Sequence, residues 1–261
     1  MRKGITAIVI IVCVVAGFAA GWLFSPFLAG VTRVSLVDQI KARGYIIVGT
    51  SSDWPPFEIY NTTTEELEGF DIDISELVAA ELNVTIQWKD MDFDLLVGAC
   101  TGGTIDMIAA AIMVTPKRAE VLAHSVPYIR VNELIIVRGD SSLTITKLED
   151  LAALPDKSVG CQAGTTQEEE LTDANVDYAS YVSALLMLAD LDAGGIDVAF
   201  IDEPVLGQYS AYGFKSIFIV PAEPTALWCK WEEPELMATI NKALLEAFKD
   251  GTMDTLIAKW F

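Results

Sequence analysis

The sequence predicts an α/β protein built on mostly parallel sheets. Three observations carry that prediction. Short apolar runs, such as residues 45–49 (YIIVG), 158–162 (SVGCQ) and 197–201 (DVAFI), alternate with helix-patterned stretches along the chain. Glycines stand where helices should stop, at Gly44, Gly102-Gly103, Gly194-Gly195 and Gly251. The 261 residues suffice for one large or two modest domains, and no internal repeat or low-complexity segment interrupts the alternation. A formal net charge of −20, with a pI near 4.2, argues against nucleic acid and against anionic membrane surfaces as partners.

The first element is apolar. Met1-Arg2-Lys3 is a basic tip, and residues 5–24 follow without a charge. About 20 such residues cross a bilayer as a helix, and the basic tip favours a cytoplasmic N-terminus. The run exceeds the ~7–15 residues of a signal-peptide core, so an uncleaved anchor over residues 1–31 is preferred to a cleaved signal. Cys13 follows Ile10-Ile11-Val12, which lacks the small residue of lipoprotein processing. The remainder of the chain is expected outside the cytoplasm, held to the cell membrane.

The other elements follow in order. Residues 35–43 read as a short amphipathic helix, and 45–49 as a buried strand. Residues 50–57 form a loop, because Pro55-Pro56 suits neither helix nor ladder. A polar turn at 65–69 opens a helix over 70–82, with Asp71 and Asp73 in its first turn. A strand over 84–88 and a helix over 93–100 come next. The apolar run 105–114 predicts a single buried strand. Thr115 and Pro116, an N-cap and a first-turn residue, then start a helix running through Leu122. After the charged break 130–133, strands are predicted at 134–138, 158–162, 197–201, 217–220 and 226–230, with a further strand ending at Tyr181. Helical segments fall at 148–151, from Glu168, at 183–193, at 234–250 and at 253–260.

Three places invite a ligand. Arg118 lies in the first turn of its helix, where a cation opposes the dipole at a cost of about 0.3–1 kcal/mol. The cost makes sense if Arg118 and the free N–H groups of the turn hold an anion, best a carboxylate gripped by two parallel bonds. Gly164-Thr165-Thr166-Gln167 marks a second helix start; either Thr165 with Glu168 or Thr166 with Glu169 fits a capping box. Asp202 ends an apolar strand, the place where ligands meet open α/β sheets. A seat for a carboxylate and a seat for an ammonium together match a free α-amino acid, and Trp54 and Phe93 offer flat walls. The four cysteines and single histidine form no CxxC or Cys/His cluster, so no metal or other cofactor is expected; a disulfide between two cysteines is left open.

These residues carry a resemblance. Gly49-Thr50 with Trp54-Pro55-Pro56-Phe57, then Gly69-Phe70-Asp71-Ile72-Asp73, Asp106, Thr115-Pro116-Lys117-Arg118, Pro127-Tyr128, Gly164-Thr165-Thr166, Asp197 with Asp202, and Asp250-Gly251-Thr252 are similar in kind and order to the family 3 solute-binding proteins of amino-acid ABC transporters. The resemblance covers residues 36–261. It implies a two-lobe periplasmic-binding-protein-like fold of type II, with the ligand cleft between lobes. Lobe 1 would comprise residues 32–130 and 223–261, and lobe 2 residues 131–222, with hinge crossings near 129–132 and 220–223. It implies that Arg118 and the Thr166 N–H take an α-carboxylate, and that Asp202 and the Ala111 carbonyl take the ammonium. Trp54 and Phe93 would flank the ligand side chain, with Ser51 and Gln162 at its far end. The partners implied are an amino acid and ABC permease subunits.

Two departures from the family pattern bear on the ligand. Met113 stands where the family usually has Ser or Thr, removing a hydroxyl and narrowing the pocket. Ser51 stands where binders of cationic amino acids often carry Asp. With no acid seen to reach the far end, the expectation is a neutral polar or medium apolar amino acid. Two other functions fit the same fold: a prephenate or arogenate dehydratase, which needs a general acid in the cleft, and a receptor sensor domain, which would need a partner chain to signal.

Overall fold

The computed structural model describes residues 34–155 and 158–261; the anchor expected over 1–31, Cys13 included, lies outside them. Among the described residues no helix is long and apolar enough to cross a membrane. Residues 36–261 form one compact unit.

Helix α1 (Leu36–Arg43) and strand β1 (Tyr45–Thr50) open it, followed by a meander of β2 (Asp53–Trp54), β3 (Glu58–Asn61) and β4 (Glu66–Glu68). Helix α2 (Phe70–Leu82), β5 (Thr85–Asp90), a 3₁₀ turn (Phe93–Leu95), α3 (Leu96–Gly102), β6 (Met107–Ile108), α4 (Pro116–Ala119) and β7 (Ala123–His124) complete the first stretch. The second stretch holds β8 (Glu133–Val137), β9 (Val159–Gln162), α5 (Thr166–Asp173), β10 (Ala179–Tyr181), α6 (Ala184–Ala193), β11 (Val198–Asp202), α7 (Glu203–Gln208) and β12 (Lys215–Val220). The chain then returns through β13 (Trp228–Cys229), α8 (Pro234–Asp250) and α9 (Thr252–Trp260).

Two five-stranded sheets result. One has the order β5-β1-β6-β13-β7, with β1 parallel to both neighbours and β13 antiparallel to both of its own. The other has the order β10-β9-β11-β8-β12, parallel at β10, β9 and β11 and antiparallel at β8 and β12. The first sheet draws on strands from both ends of the chain, the second on the middle. Thr225 bridges both Ile129 and Met113 where the chain re-enters the first half.

Strand β8 shows why its sequence has no polar alternation. Leu134 and Ile136 face one apolar cluster, with Met187 and Leu188 of α6, while Ile135 and Val137 face another, with Leu151, Val159 and Phe200. A strand covered on both faces is apolar throughout. On α8, Leu236, Ile240, Ala243, Leu244 and Ala247 fall on one buried stripe, as a helix packed on one side requires. Gly69 has φ 145°, and a Cβ there would meet the Phe57 carbonyl oxygen at 2.0 Å, so glycine lets the meander close against α2.

Three expectations change. The run 105–114 is not a single strand: only Met107–Ile108 pairs as β6, and Met113 makes an isolated bridge. Ala111 turns into the left-handed region at φ 48°, and its N–H donates to Asp71 at 2.7 Å instead of to a ladder. The helix after Thr115 stops at Ala119, because Ala123–His124 is drawn into pairing with Trp228–Cys229. Asp53–Trp54 is a strand despite the two prolines, since Pro55 and Pro56 sit in the turn and Phe57 N–H closes it on the Trp54 carbonyl at 3.0 Å. Cys100, Cys161 and Cys229 are buried free thiols, each pushed up to about 12 by burial.

Candidate functional site

Thr115 caps α4 as its sequence requires: Oγ1 accepts the Arg118 N–H at 3.2 Å and Pro116 takes the first helical position. This single turn points Arg118 into the seam between the two halves. The guanidinium is buried at 7 % exposure, donates to the Met113 carbonyl at 2.9 Å and the Gly164 carbonyl at 3.0 Å, and lies over the Phe93 ring. Burial lowers its pKa to about 10, against the attraction of Glu169, Glu133 and Asp202.

Of the two capping choices at the second helix, the structure uses Thr165. Its hydroxyl accepts the Glu168 N–H at 3.4 Å, while the Glu168 carboxylate reaches back to the Gly164 N–H at 2.8 Å. Thr166 is thereby the first residue of α5. Its hydroxyl donates to Glu133 at 2.7 Å and lies 3.3 Å from the Met113 sulfur.

Asp202 ends β11 and is 2 % exposed. It accepts from the Trp54 indole at 2.7 Å and from the Gln167 amide at 2.8 Å. Burial raises its carboxyl from 3.8 to about 7, opposed by those two bonds and by Arg118. Opposite it, Ala111 owes its left-handed turn to Asp71, which also accepts from the Tyr128 hydroxyl and is raised to about 6 by its own burial. A strained non-glycine residue costs ~1–3 kcal/mol and is a reason to look for a function there.

Trp54, Phe93, Ala111, Met113, Arg118, Gln162, Thr166 and Asp202 line one cavity, joined by Ala110, Thr165 and Gln167. The space they enclose is about 20 Å³, room for little more than a water molecule. Ser51 is not among the lining residues; it borders a separate acidic depression with Asp53 and Asp90. Behind the far end, outside the cavity lining, an acid backs Gln162. Asp53 accepts from the Gln162 amide at 3.1 Å, from the Ser51 hydroxyl at 3.1 Å, and from the Ala184 N–H at 2.8 Å, where it caps α6.

Sequence reasoning passed over Asp53, Gln167 and Glu133. Gln167 had a signal, since it directly follows Thr166 at a helix start. Asp53 had only its place beside Trp54. Glu133 had none: it pairs with Asp202 across β8 and β11, a register that exists only once the sheet is built. His124 lies on β7 with its Nδ1 at 2.8 Å from the Ser125 carbonyl and its ring beside Trp228; it does not line the cavity.

The two halves touch across the cavity. Besides Trp54–Asp202, Arg118–Gly164 and Asp53–Ala184, the exposed Lys117 pairs with Glu169 at 2.6 Å. Gly164 is also a close approach: a Cβ on it would stand 2.9 Å from the Asp94 Cα.

Comparison with known proteins agrees with this architecture. The histidine-binding periplasmic protein of Salmonella typhimurium is 30% identical over 234 residues, covering 83% of this chain and 87% of the relative. The arginine-binding extracellular protein ArtP of Bacillus subtilis is 28% identical over 225 residues, covering 83% and 86%. Among solved structures, a mutant of ArgBP from T. maritima matches with a TM-score of 0.81 at 31% identity, covering 86% of this chain and 98% of that one. The ancestral amino acid-binding protein AncCDT-1, a precursor of cyclohexadienyl dehydratase, also matches with a TM-score of 0.81, at 29% identity and 87% and 100% coverage. The fold is the mixed α/β, two-lobe fold of periplasmic binding proteins. The model of the bacterial extracellular solute-binding proteins, family 3, matches residues 46–261, and the chain belongs to that family.

Proposed function

We propose that the protein captures a free amino acid outside the cytoplasm and presents it to an ABC permease. One observation carries the reading: a buried cation, Arg118, and a buried carboxyl group, Asp202, line the same small cavity between two lobes. In this reading lobe 1 is 32–130 with 223–261 and lobe 2 is 131–222, a division supported by sheet membership. Arg118 exchanges its bonds to the Met113 and Gly164 carbonyls for the ligand carboxylate, aided by the Thr166 N–H. The ligand ammonium takes Asp202 from the Trp54 indole and meets the Ala111 carbonyl. The lobes open to admit the ligand and close by a hinge motion.

For the side chain, Met113 adds apolar surface and Gln162 a neutral amide, which favour a neutral polar or medium aliphatic ligand. A second reading, arginine, is supported by Asp53 behind Gln162 and by relatives named for arginine binding. Asp53 already accepts three hydrogen bonds, including a helix N-terminal N–H, so its charge is compensated without a ligand. That keeps the neutral ligand first. Calorimetric titration of the protein with each amino acid decides between them. Tightest binding to glutamine or a medium aliphatic residue is expected; tightest binding to arginine or lysine overturns the side-chain assignment, and binding to none overturns the function.

A dehydratase requires a protonated acid aimed at substrate. Both oxygens of Asp202 are engaged, by Trp54 and Gln167, rather than aimed at open space, and His124 lies away from the cavity lining. Incubation with arogenate is expected to yield no phenylalanine. Membrane attachment through residues 1–31 is part of the proposal, and fractionation of cells between membrane and soluble pools tests it.

A further inference from the structure

Behind Thr166, outside the cavity lining, stand two carboxyl groups that ligand capture does not use directly. Glu133 opens β8 and is fully buried. Its Oε1 accepts the Thr166 hydroxyl at 2.7 Å. Its Oε2 is buried and receives no hydrogen from a protein donor, and the same holds for Oε2 of Glu170, one helical turn beyond Thr166. Thr166 holds Glu133 through its hydroxyl and Glu170 follows one turn on along the same helix face, so the two carboxyl groups are neighbours, and each shifts the titration of the other. Ionised carboxylates only accept, so two of them side by side leave both oxygens unsatisfied and add repulsion. One proton between them removes both problems.

We propose that Glu133 and Glu170 share one proton, and that this acid–carboxylate pair is a positioning device that holds Thr166 at the carboxylate seat. The Thr166 hydroxyl is then committed to Glu133, and its backbone N–H is left for the ligand. The binding part of this inference rests on the amino-acid reading of the cavity; the shared proton does not.

The surroundings agree. Asp202 faces Glu133 from β11, and Asp173 faces Glu170 from its own helix, so like charge disfavours a second ionisation. From lobe 1 the facing cation is Arg118, itself under the influence of Glu169. On the other side, β12 presents Val220 to Glu133, which carries no charge. Burial pushes Glu133 up to about 9 and holds Glu170 above its ordinary value. At neutral pH the pair keeps its proton; toward pH 10 it loses it.

Glu133→Gln separates positioning from plain packing. The amide keeps a carbonyl for Thr166 and an N–H for Glu170, with no proton to lose in this range. Glu133→Ala supplies neither. The experiment uses the whole protein, with glutamine and arginine as probes in calorimetry at pH 7, and ligand-free melting measured from pH 5 to 10. In the wild type, Glu133 is raised from 4.5 to about 9, so its contribution to stability is lost as pH rises through that window. Relative to E133Q, the wild-type Tm is therefore expected to fall steadily up to pH 9. The protonated-carboxyl infrared band of the wild type at pH 7 should weaken in E133Q. At pH 7, E133Q is expected to bind within about threefold of wild type and E133A roughly tenfold or more weaker, the worth of a hydrogen bond to a charged group. Parallel Tm profiles for wild type and E133Q, or an unchanged infrared band, overturn the shared proton. E133Q as weak as E133A overturns the positioning role. Should E133A fail to fold, E170Q replaces it, with tight binding expected and a tenfold loss overturning the pairing. If no variant binds either probe, the cavity reading fails, while the melting profiles and infrared band still decide the proton pair.

Discussion

The Trp54 indole donates to the Asp202 carboxylate at 2.7 Å, joining the meander to the end of strand β11. An ammonium and an indole N–H compete for the same oxygens. Replacing Trp54 by Phe keeps a flat wall and removes the competitor. The ligand-free variant is expected to open, read as a larger radius of gyration in solution scattering; an unchanged radius argues that other contacts hold the lobes.

Asp202 gives binding a pH dependence with a definite sign. Its carboxyl is raised from 3.8 to about 7 in the ligand-free cleft, and an ammonium requires the ionised form. Amino-acid affinity is expected to rise with pH up to about 7, at most tenfold per unit, and then level off. Asp202→Asn should flatten that profile and cost ~2–5 kcal/mol for amino acids. Deaminated 2-oxo analogues, lacking the ammonium, should lose far less, and calorimetry on both ligand sets checks it.

Arg118→Ala removes the buried cation and is expected to cost ~2–5 kcal/mol of amino-acid binding. Arg118→Lys restores a charge but not two parallel bonds, so it should recover only part of that loss. Circular dichroism should report an intact fold in both variants. Undiminished affinity in the alanine variant would remove Arg118 from the carboxylate seat.

Ligand-free stability should fall as pH rises from about 4. Asp71 is raised from 3.8 to about 6 and Asp202 from 3.8 to about 7, both chiefly by burial. Each contribution is fully present below the unfolded value near 3.8 and is lost as pH climbs through the folded one. Melting temperatures measured from pH 4 to 8 check this, and Asp71→Asn should flatten the lower part of the slope.

Asp53 separates the two ligand readings. Asp53→Asn keeps an acceptor for Ala184 but removes the charge. If the far end takes a neutral side chain, glutamine affinity should change by less than about 1 kcal/mol, as for a neutral hydrogen bond exchanged for another. A larger loss confined to arginine, in parallel titrations, would make Asp53 a guanidinium anchor.

What the sequence determined by itself were the features that depend on near neighbours. Helix starts at Thr115 and at one of Thr165 and Thr166, and stops at Gly44, Gly103 and Gly251, are local hydrogen-bonding and φ requirements, and most strands announced themselves as apolar runs. Arg118 and Asp202 stood out for the same reason, as ends of elements with an unusual residue on them, whereas Thr166 was singled out only by the family resemblance. Tertiary structure decided whatever depends on distant partners. The run 105–114 breaks because Asp71, forty residues before Ala111, takes an N–H that a strand would have used. Asp53 backs Gln162 because the N-terminus of α6 holds it there. Glu133 matters because β8 lies antiparallel to β11 and beneath α5, which puts its carboxyl against Asp202, Thr166 and Glu170. Charges and dipoles act through space, so their meaning is set by the packing that brings them together.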